Sequence, residues 1–111
     1  MASPKTSCAQ PLKRILSDLD VMHEEIGSKG RYYIIHASGE SELTYSVMSS
    51  RIKIADHTQV ASGHEGEGIG LTLLKEMIKD ARSGGIQIVP LCPFVNAQRR
   101  KHPEWADAFS V

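Results

Sequence analysis

The sequence predicts one small α+β domain, a mixed and mostly antiparallel β-sheet with helices packed on it. Three observations carry this. Between residues 31 and 60, three runs of β-forming residues follow one another with short polar breaks, as in a meander of hairpins. A glycine-rich loop, a helical period over 71–81 and an apolar run at 86–91 come next, so the last strand is expected to lie parallel to the one before the loop. At 111 residues and 41% hydrophobic, the chain can build one core but not separate catalytic and substrate domains.

Residues 1–22 read as an N-terminal tail and 23–111 as the domain. The tail is rich in Ser, Thr, Pro and Ala. After Pro11, the helical spacing of Leu12, Ile15, Leu16 and Leu19 predicts a short amphipathic helix over about 11–21. Gly27-Ser28-Lys29-Gly30 is a turn signal. Arg31 to His36 is a strand, closed by Ser38-Gly39-Glu40. Glu42 to Met48 alternates polar and apolar, as a half-buried strand does. Arg51 to Val60 continues the alternation, with Ile52, Ile54 and Asp56 on one face and Lys53 and Ala55 on the other. Leu71, Leu73, Leu74, Met77, Ile78 and Ala81 form the apolar stripe of a helix that Ser83-Gly84-Gly85 ends. Ile86 to Leu91 is the next strand. Pro93 suits the first position of a helix over 94–101. His102-Pro103-Glu104 ends that helix, and Trp105, Ala106 and Phe109 are expected to pack back on the sheet.

Composition excludes several functions. Thirteen Lys and Arg balance thirteen Asp and Glu, and the balance holds in each half of the chain, so a phosphate-backbone binder of nucleic acid is not expected. No apolar run reaches the roughly 18–20 residues of a membrane span. The polar start has no signal-peptide core. Cys8 and Cys92 make no disulfide framework and read as reduced thiols of a cytoplasmic protein. The five histidines and Cys92 show no metal spacing, so no metal is expected.

The glycine loop carries the functional signal. Gly63, Gly66, Gly68 and Gly70 separate a strand from a helix. Glycines let a ligand approach bare backbone, and the free N–H groups of a helix start favour an anion such as a pyrophosphate. A Walker A loop would end in Gly-Lys-Ser/Thr, but Gly68 is followed by Ile69 and Gly70. A dinucleotide fingerprint needs a third glycine where Leu71 stands, and an acidic residue on the next strand, which has none.

The run Val60-Ala61-Ser62-Gly63-His64-Glu65-Gly66-Glu67-Gly68-Ile69-Gly70-Leu71 resembles the acetyl-CoA loop of the GNAT N-acetyltransferases, whose pattern is Arg/Gln-x-x-Gly-x-Gly/Ala opening a helix. Glu65 occupies the Arg/Gln place, Gly68 and Gly70 the glycine places. Together with Asp56-His57-Thr58-x-Val60, Val89-Pro90-Leu91-Cys92-Pro93-Phe94-Val95 and His102-Pro103-Glu104-Trp105, the loop is similar to the small single-domain members of that family, over about residues 31–107. The resemblance implies an acyl-CoA N-acyltransferase-like fold, a twisted sheet splaying where strands end at Val60 and Leu91. It implies pantetheine near Thr58 to Val60, and pyrophosphate on the amides of Glu65, Gly66, Glu67, Gly68, Ile69 and Gly70. It further implies acetyl transfer from acetyl-CoA to an amine-bearing small molecule or protein. Glu65 departs from the pattern, and with Glu67 places two carboxylates beside the expected pyrophosphate, each repulsive by about 1 kcal/mol in solvent. The alternative function is a non-catalytic CoA or acyl-CoA-binding module.

Such transfer needs a base for the amine, a donor for the oxyanion and a proton for the leaving thiolate. Cys92, just before Pro93, would stand at a helix N-cap, where a thiolate is favoured. It reads either as a nucleophile or proton relay or as a small buried side chain. His57 reads as the base or as a packed histidine. Alternation alone would put Asp56 and His57 on opposite faces. Arg99, Arg100 and Lys101 read as solvated helix surface or as contacts to the CoA 3′-phosphate. The tyrosine that many GNAT proteins carry on this helix as general acid is missing from Phe94 to Lys101.

Overall fold

Runs of β-branched and aromatic residues, punctuated by turns, build a five-stranded sheet. The computed structural model describes residues 20–111. Cys8 and nearly all of the expected 11–21 helix lie outside the described residues. The strands are β1 (Met22–Ile26), β2 (Lys29–His36), β3 (Gly39–Val47), β4 (Ile52–Gln59) and β5 (Gln87–Pro90). Helix α1 (Ile69–Gly84) joins β4 to β5, and α2 (Pro93–Lys101) leads into a 3-10 helix over Pro103–Ala108. The sheet order is β1-β2-β3-β4-β5, with all pairs antiparallel except β4 and β5.

The meander and the parallel β4–β5 pair are as the sequence predicts. Strand β1 is an addition to it. Met22-His23-Glu24-Glu25-Ile26 is mostly polar and every residue is exposed, so no apolar pattern announces it. A two-residue turn, with Gly27 at φ 63°, folds it onto β2 with Ile26 opposite Lys29. Met22, which the sequence reading leaves in the tail, opens this strand.

The helices cover one face of the sheet. Tyr32, Ile34, Ser41, Leu43, Tyr45, Ala55 and Ile88 point to that face and are buried. With Leu73, Leu74, Met77, Val95 and Trp105 from the helical side they form one core. On the opposite face Arg31, Tyr33, Glu42, Thr44, Ser46, Ile52 and Ile54 are all at least partly exposed. So Ala55, not the flanking isoleucine pair, is the core residue of β4, and small Ala55 lets the helical layer approach closely.

Two irregularities in β4 prepare the site. The β3–β4 register passes from Thr44↔His57 to Tyr45↔Ala55, which leaves Asp56 as the extra residue of a bulge. The β4–β5 ladder runs from Ile52↔Gln87 to Ala55↔Pro90 and goes no further. Pro90 has no N–H with which to extend a ladder. Instead the Cys92 amide donates to the Ala55 carbonyl (2.8 Å), and β4 runs on to Gln59 against β3 alone. The two strands therefore part beyond Ala55, as the splayed sheet requires.

Helix α1 extends the predicted 71–81 span at both ends. It begins after Gly68, which is left-handed (φ 78°, ψ 18°), and stops at Gly85 (φ 68°), whose N–H closes on Ala81. The chain end does pack back: Phe109 bridges Ile88, and the Ser110 amide donates to the Ile88 carbonyl (2.9 Å).

Candidate functional site

Where β4 leaves β5, a groove of about 370 Å³ opens between the end of β4, the glycine loop and α2. It is lined by Thr58 and Val60 from β4 and its exit, by His64, Gly66, Gly68, Ile69, Gly70 and Leu71 from the loop and helix start, and by Phe94 and Gln98 from α2. The loop achieves its path through positive φ at Gly63, Gly66 and Gly68. Gly70 is glycine for a different reason. A Cβ there would meet the Phe94 ring at 3.0 Å and the Thr58 methyl at 3.4 Å, so its bare backbone lets α2 close against the start of α1.

No side chain caps α1. Within the first turn the Thr72 amide bonds the Gly68 carbonyl, and the amides of Gly68, Ile69, Gly70 and Leu71 have no acceptor among the described residues. These donors, with the partial positive charge of the helix start, form an anion cradle beside the groove. The two carboxylates that sequence reading set against an anion are both engaged within the loop. Glu65 Oε1 accepts from the Gly63 amide (2.9 Å), and Glu67 Oε1 lies 2.8 Å from His64 Nδ1. His64 in turn stacks on His36 with 4.0 Å between ring centroids. His36 Nε2 lies 2.8 Å from Ser41 Oγ, which also accepts the Ala61 amide (2.9 Å). The loop is thus pinned to the β2–β3 hairpin. The cradle, the groove and the internally paired carboxylates fit an acyl-CoA.

Cys92 is the N-cap residue of α2 and is 2% exposed. Its thiol makes no capping bond; Sγ lies 3.3 Å from Thr58 Oγ1 instead. The structure therefore brings Cys92 against Thr58, which lines the groove, while Cys92 itself lies buried behind it and is not among the lining residues. It does not bring His57 to them. His57 is exposed and paired with Thr44, on the helix-free face. The bulge also overrides simple alternation at Asp56, whose carboxylate accepts from Ser46 Oγ (2.8 Å) on that same face. Asp56 and His57 thus share a face, contrary to the sequence expectation.

Sequence reasoning missed Phe94, Gln98 and Leu71 as groove residues. The four-residue spacing of Phe94 and Gln98 on one side of α2 was the available signal. Arg99 bonds Asn96 Oδ1 (2.8 Å) on its own helix. His102 stacks on Trp105 at 4.1 Å, and its Nδ1 lies 3.0 Å from Glu104. Among the described residues no three His, Cys, Asp or Glu side chains gather as a metal site. No helix among them is long and apolar enough to cross a membrane.

Comparison with known proteins agrees with this geometry. No curated protein sequence matches the chain. The solution NMR structure of a GCN5-like protein from Staphylococcus aureus, provisionally described as an N-acetyltransferase, superposes with a TM-score of 0.65 at 26% identity, covering 86% of this chain and 91% of that one. The sequence profile of the GCN5-related N-acetyl-transferase family matches residues 31–108, from the start of β2's apolar run to the end of the 3-10 helix. With the splayed sheet, the glycine loop and the groove in their expected order, the chain belongs to the GCN5-related N-acetyltransferase family.

Proposed function

We propose that this chain transfers an acetyl group from acetyl-CoA to a primary amine. One observation carries the reading: the groove at the β4–β5 parting is bordered by unbonded helix-start amides and by the Cys92–Thr58 pair. Bound acetyl-CoA would supply an activated acetyl thioester. The amides of Glu65, Gly66, Gly68, Ile69 and Gly70 would hold the phosphates, that of Glu67 being taken by the His64 carbonyl (3.3 Å), and Thr58 and Val60 border the thioester arm. We assign to Cys92, against Thr58, the role of nucleophile or of donor of the proton that the departing CoA thiolate takes up. His57 serves the other side of β4, where an amine arriving over the open face would give up its proton. A cytoplasmic setting, where the thiol stays reduced, accompanies this reading.

Isothermal titration with acetyl-CoA, CoA and ATP tests it first. Acetyl-CoA and CoA are expected to bind and ATP is not; silence with both CoA species would overturn the proposal. Thioester loss is then followed across a panel of amines. Binding without turnover on any amine favours a non-catalytic acyl-CoA-binding module. Cys92→Ala is expected to cut turnover by about 10²-fold or more, and unchanged turnover removes Cys92 from the chemistry. A rate that stays flat between about pH 6 and 8 removes His57 as base.

A further inference from the structure

The loop that leads to the anion cradle is tied to the β2–β3 hairpin at three points. Ser38 Oγ donates to the Ser62 carbonyl (3.0 Å), the Ala61 amide donates to Ser41 Oγ (2.9 Å), and the His36 and His64 rings stack 4.0 Å apart. Ser41 is fully buried, so its one proton needs an acceptor inside the protein. The Ala61 contact occupies a lone pair of Oγ and leaves that proton free, and the remaining contact of Oγ is His36 Nε2 at 2.8 Å. The bond therefore runs from Ser41 to His36, with the ring proton on Nδ1. His36 acts as an acceptor, which only the uncharged ring can do. At His64 the role is reversed: Nδ1 faces Glu67 Oε1 at 2.8 Å and donates.

A second proton on His36 removes the lone pair that holds Ser41. The buried hydroxyl is left without its acceptor, and a cationic ring then faces His64 across the stack. The nearby carboxylates are already engaged. On the loop, Glu67 is taken by His64 and Glu65 by the Gly63 amide. On β3, Glu40 is turned to the open face and bonded by Arg31 (2.7 Å). His64 lines the groove and His36 does not, so His36 reaches the ligand site through Ser41 and His64.

We infer that Ser41, His36 and His64 form a proton-sensitive latch on the glycine loop. His36 is its positioning residue: uncharged, it holds the loop in the shape that receives the ligand's phosphates, and protonated, it lets the loop go. The inference rests on the acyl-CoA reading above and adds regulation of that site by pH.

NMR of the ligand-free chain follows the His36 ring protons and the Ala61 amide from about pH 8 to about pH 5.5, across the ordinary histidine range. The Ala61 amide is expected to shift with the His36 ring. In His36→Gln, whose Oε1 accepts the Ser41 proton at every pH, most of that shift should vanish. CoA affinity is then compared at the two ends of the range. Wild type and His36→Gln should bind alike at the higher pH. At the lower pH the wild type should fall about tenfold behind the variant, the effect of one lost hydrogen bond. Charge on His64 and on the phosphates is common to both chains, so their difference isolates His36. His36→Phe keeps a ring for the stack but offers no acceptor. It should bind CoA about tenfold more weakly than the wild type already at the higher pH, which decides the matter if the glutamine variant does not fold. An Ala61 amide that ignores the His36 titration, or moves equally in His36→Gln, overturns the latch. Equal pH dependence of CoA affinity in wild type and variant does so too. Failure of the wild type to bind CoA at the higher pH overturns the acyl-CoA reading instead, an outcome separate from the ligand-free titration.

Discussion

Gly30 shows how a single residue can be misread from sequence and explained by packing. In sequence it completes Gly27-Ser28-Lys29-Gly30, a turn signal. The turn uses only Gly27 and Ser28, and Gly30 stands inside β2 opposite Tyr45. A Cβ there would lie 2.4 Å from the Tyr45 ring carbon and hydroxyl. The ring cannot swing aside cheaply. It is buried, its hydroxyl donates to Glu25 Oε1 (2.6 Å) and lies 2.6 Å from His23 Nε2, and Lys53 Nζ sits 4.6 Å from its centroid. Gly30→Ala is therefore expected to cost about 1–3 kcal/mol through overpacking, measured by urea unfolding. The same change in a Tyr45→Leu background should cost clearly less, because the colliding ring is gone. Equal costs in the two backgrounds would place the strain in the backbone instead. Cys92 was more legible, since a residue before proline at a strand end falls naturally at a helix start. Its thiol contact with Thr58 was not, because that depends on how far β4 and β5 part.

At the scale of elements, β1 is the piece the sequence concealed. Its residues carry no apolar stripe, so it is fastened by side-chain chemistry rather than by burial. His23 stacks on Tyr32 at 4.3 Å, Glu25 meets Tyr45 and Lys53, and Tyr32 donates to Asp80 on α1 (2.7 Å). The Tyr45 hydroxyl, opposed by partial burial and aided by Lys53 and His23, holds the Glu25 carboxyl below the usual carboxylate range. Because the folded state favours the ionised form, this contribution is present above the ordinary glutamate pKa of 4.5. It is lost as pH falls through the lower folded value. Stability should thus decline on the acid side, between about pH 5 and 3, and Glu25→Gln should flatten that slope. Hydrogen exchange of the β1–β2 amides reads the same event locally. An unaltered slope in the variant would assign the acid loss to other carboxylates. The bulge in β4 was equally hidden: one extra residue leaves no mark on composition, yet it turns Asp56 and His57 to one face.

The whole molecule is a sheet with one covered face, and its order was legible because strand, glycine loop, helix and strand leave few ways to connect. Which face would be covered was not legible in β4, where isoleucines alternate with Lys53 and Ala55 and the smaller residue is the buried one. Overall neutrality likewise hid local pairing: Arg31 alone meets Glu24, Glu40 and Glu42 at 2.7–2.9 Å on the open face. With a single helical layer, the chain end becomes structural. Trp105 is 8% exposed, stacks on His102 where α2 ends, and precedes Asp107, which binds Arg82 of α1 at 2.8 Å. Trp105→Ala should cost about 3–5 kcal/mol, the range for a buried aromatic. That is a large share of the roughly 5–15 kcal/mol available to a domain, so urea unfolding should find the variant marginal. The groove shares α2 with this anchor, so the proposed function predicts that stability is coupled to ligand. Acetyl-CoA at about a hundred times its Kd should return about 2.7 kcal/mol to any form that still binds it. A Trp105→Ala chain whose unfolding midpoint rises with acetyl-CoA as the wild type's does keeps α2 and the groove in place. One that loses stability and gains nothing from the ligand shows that the C-terminal anchor also holds α2 against the loop.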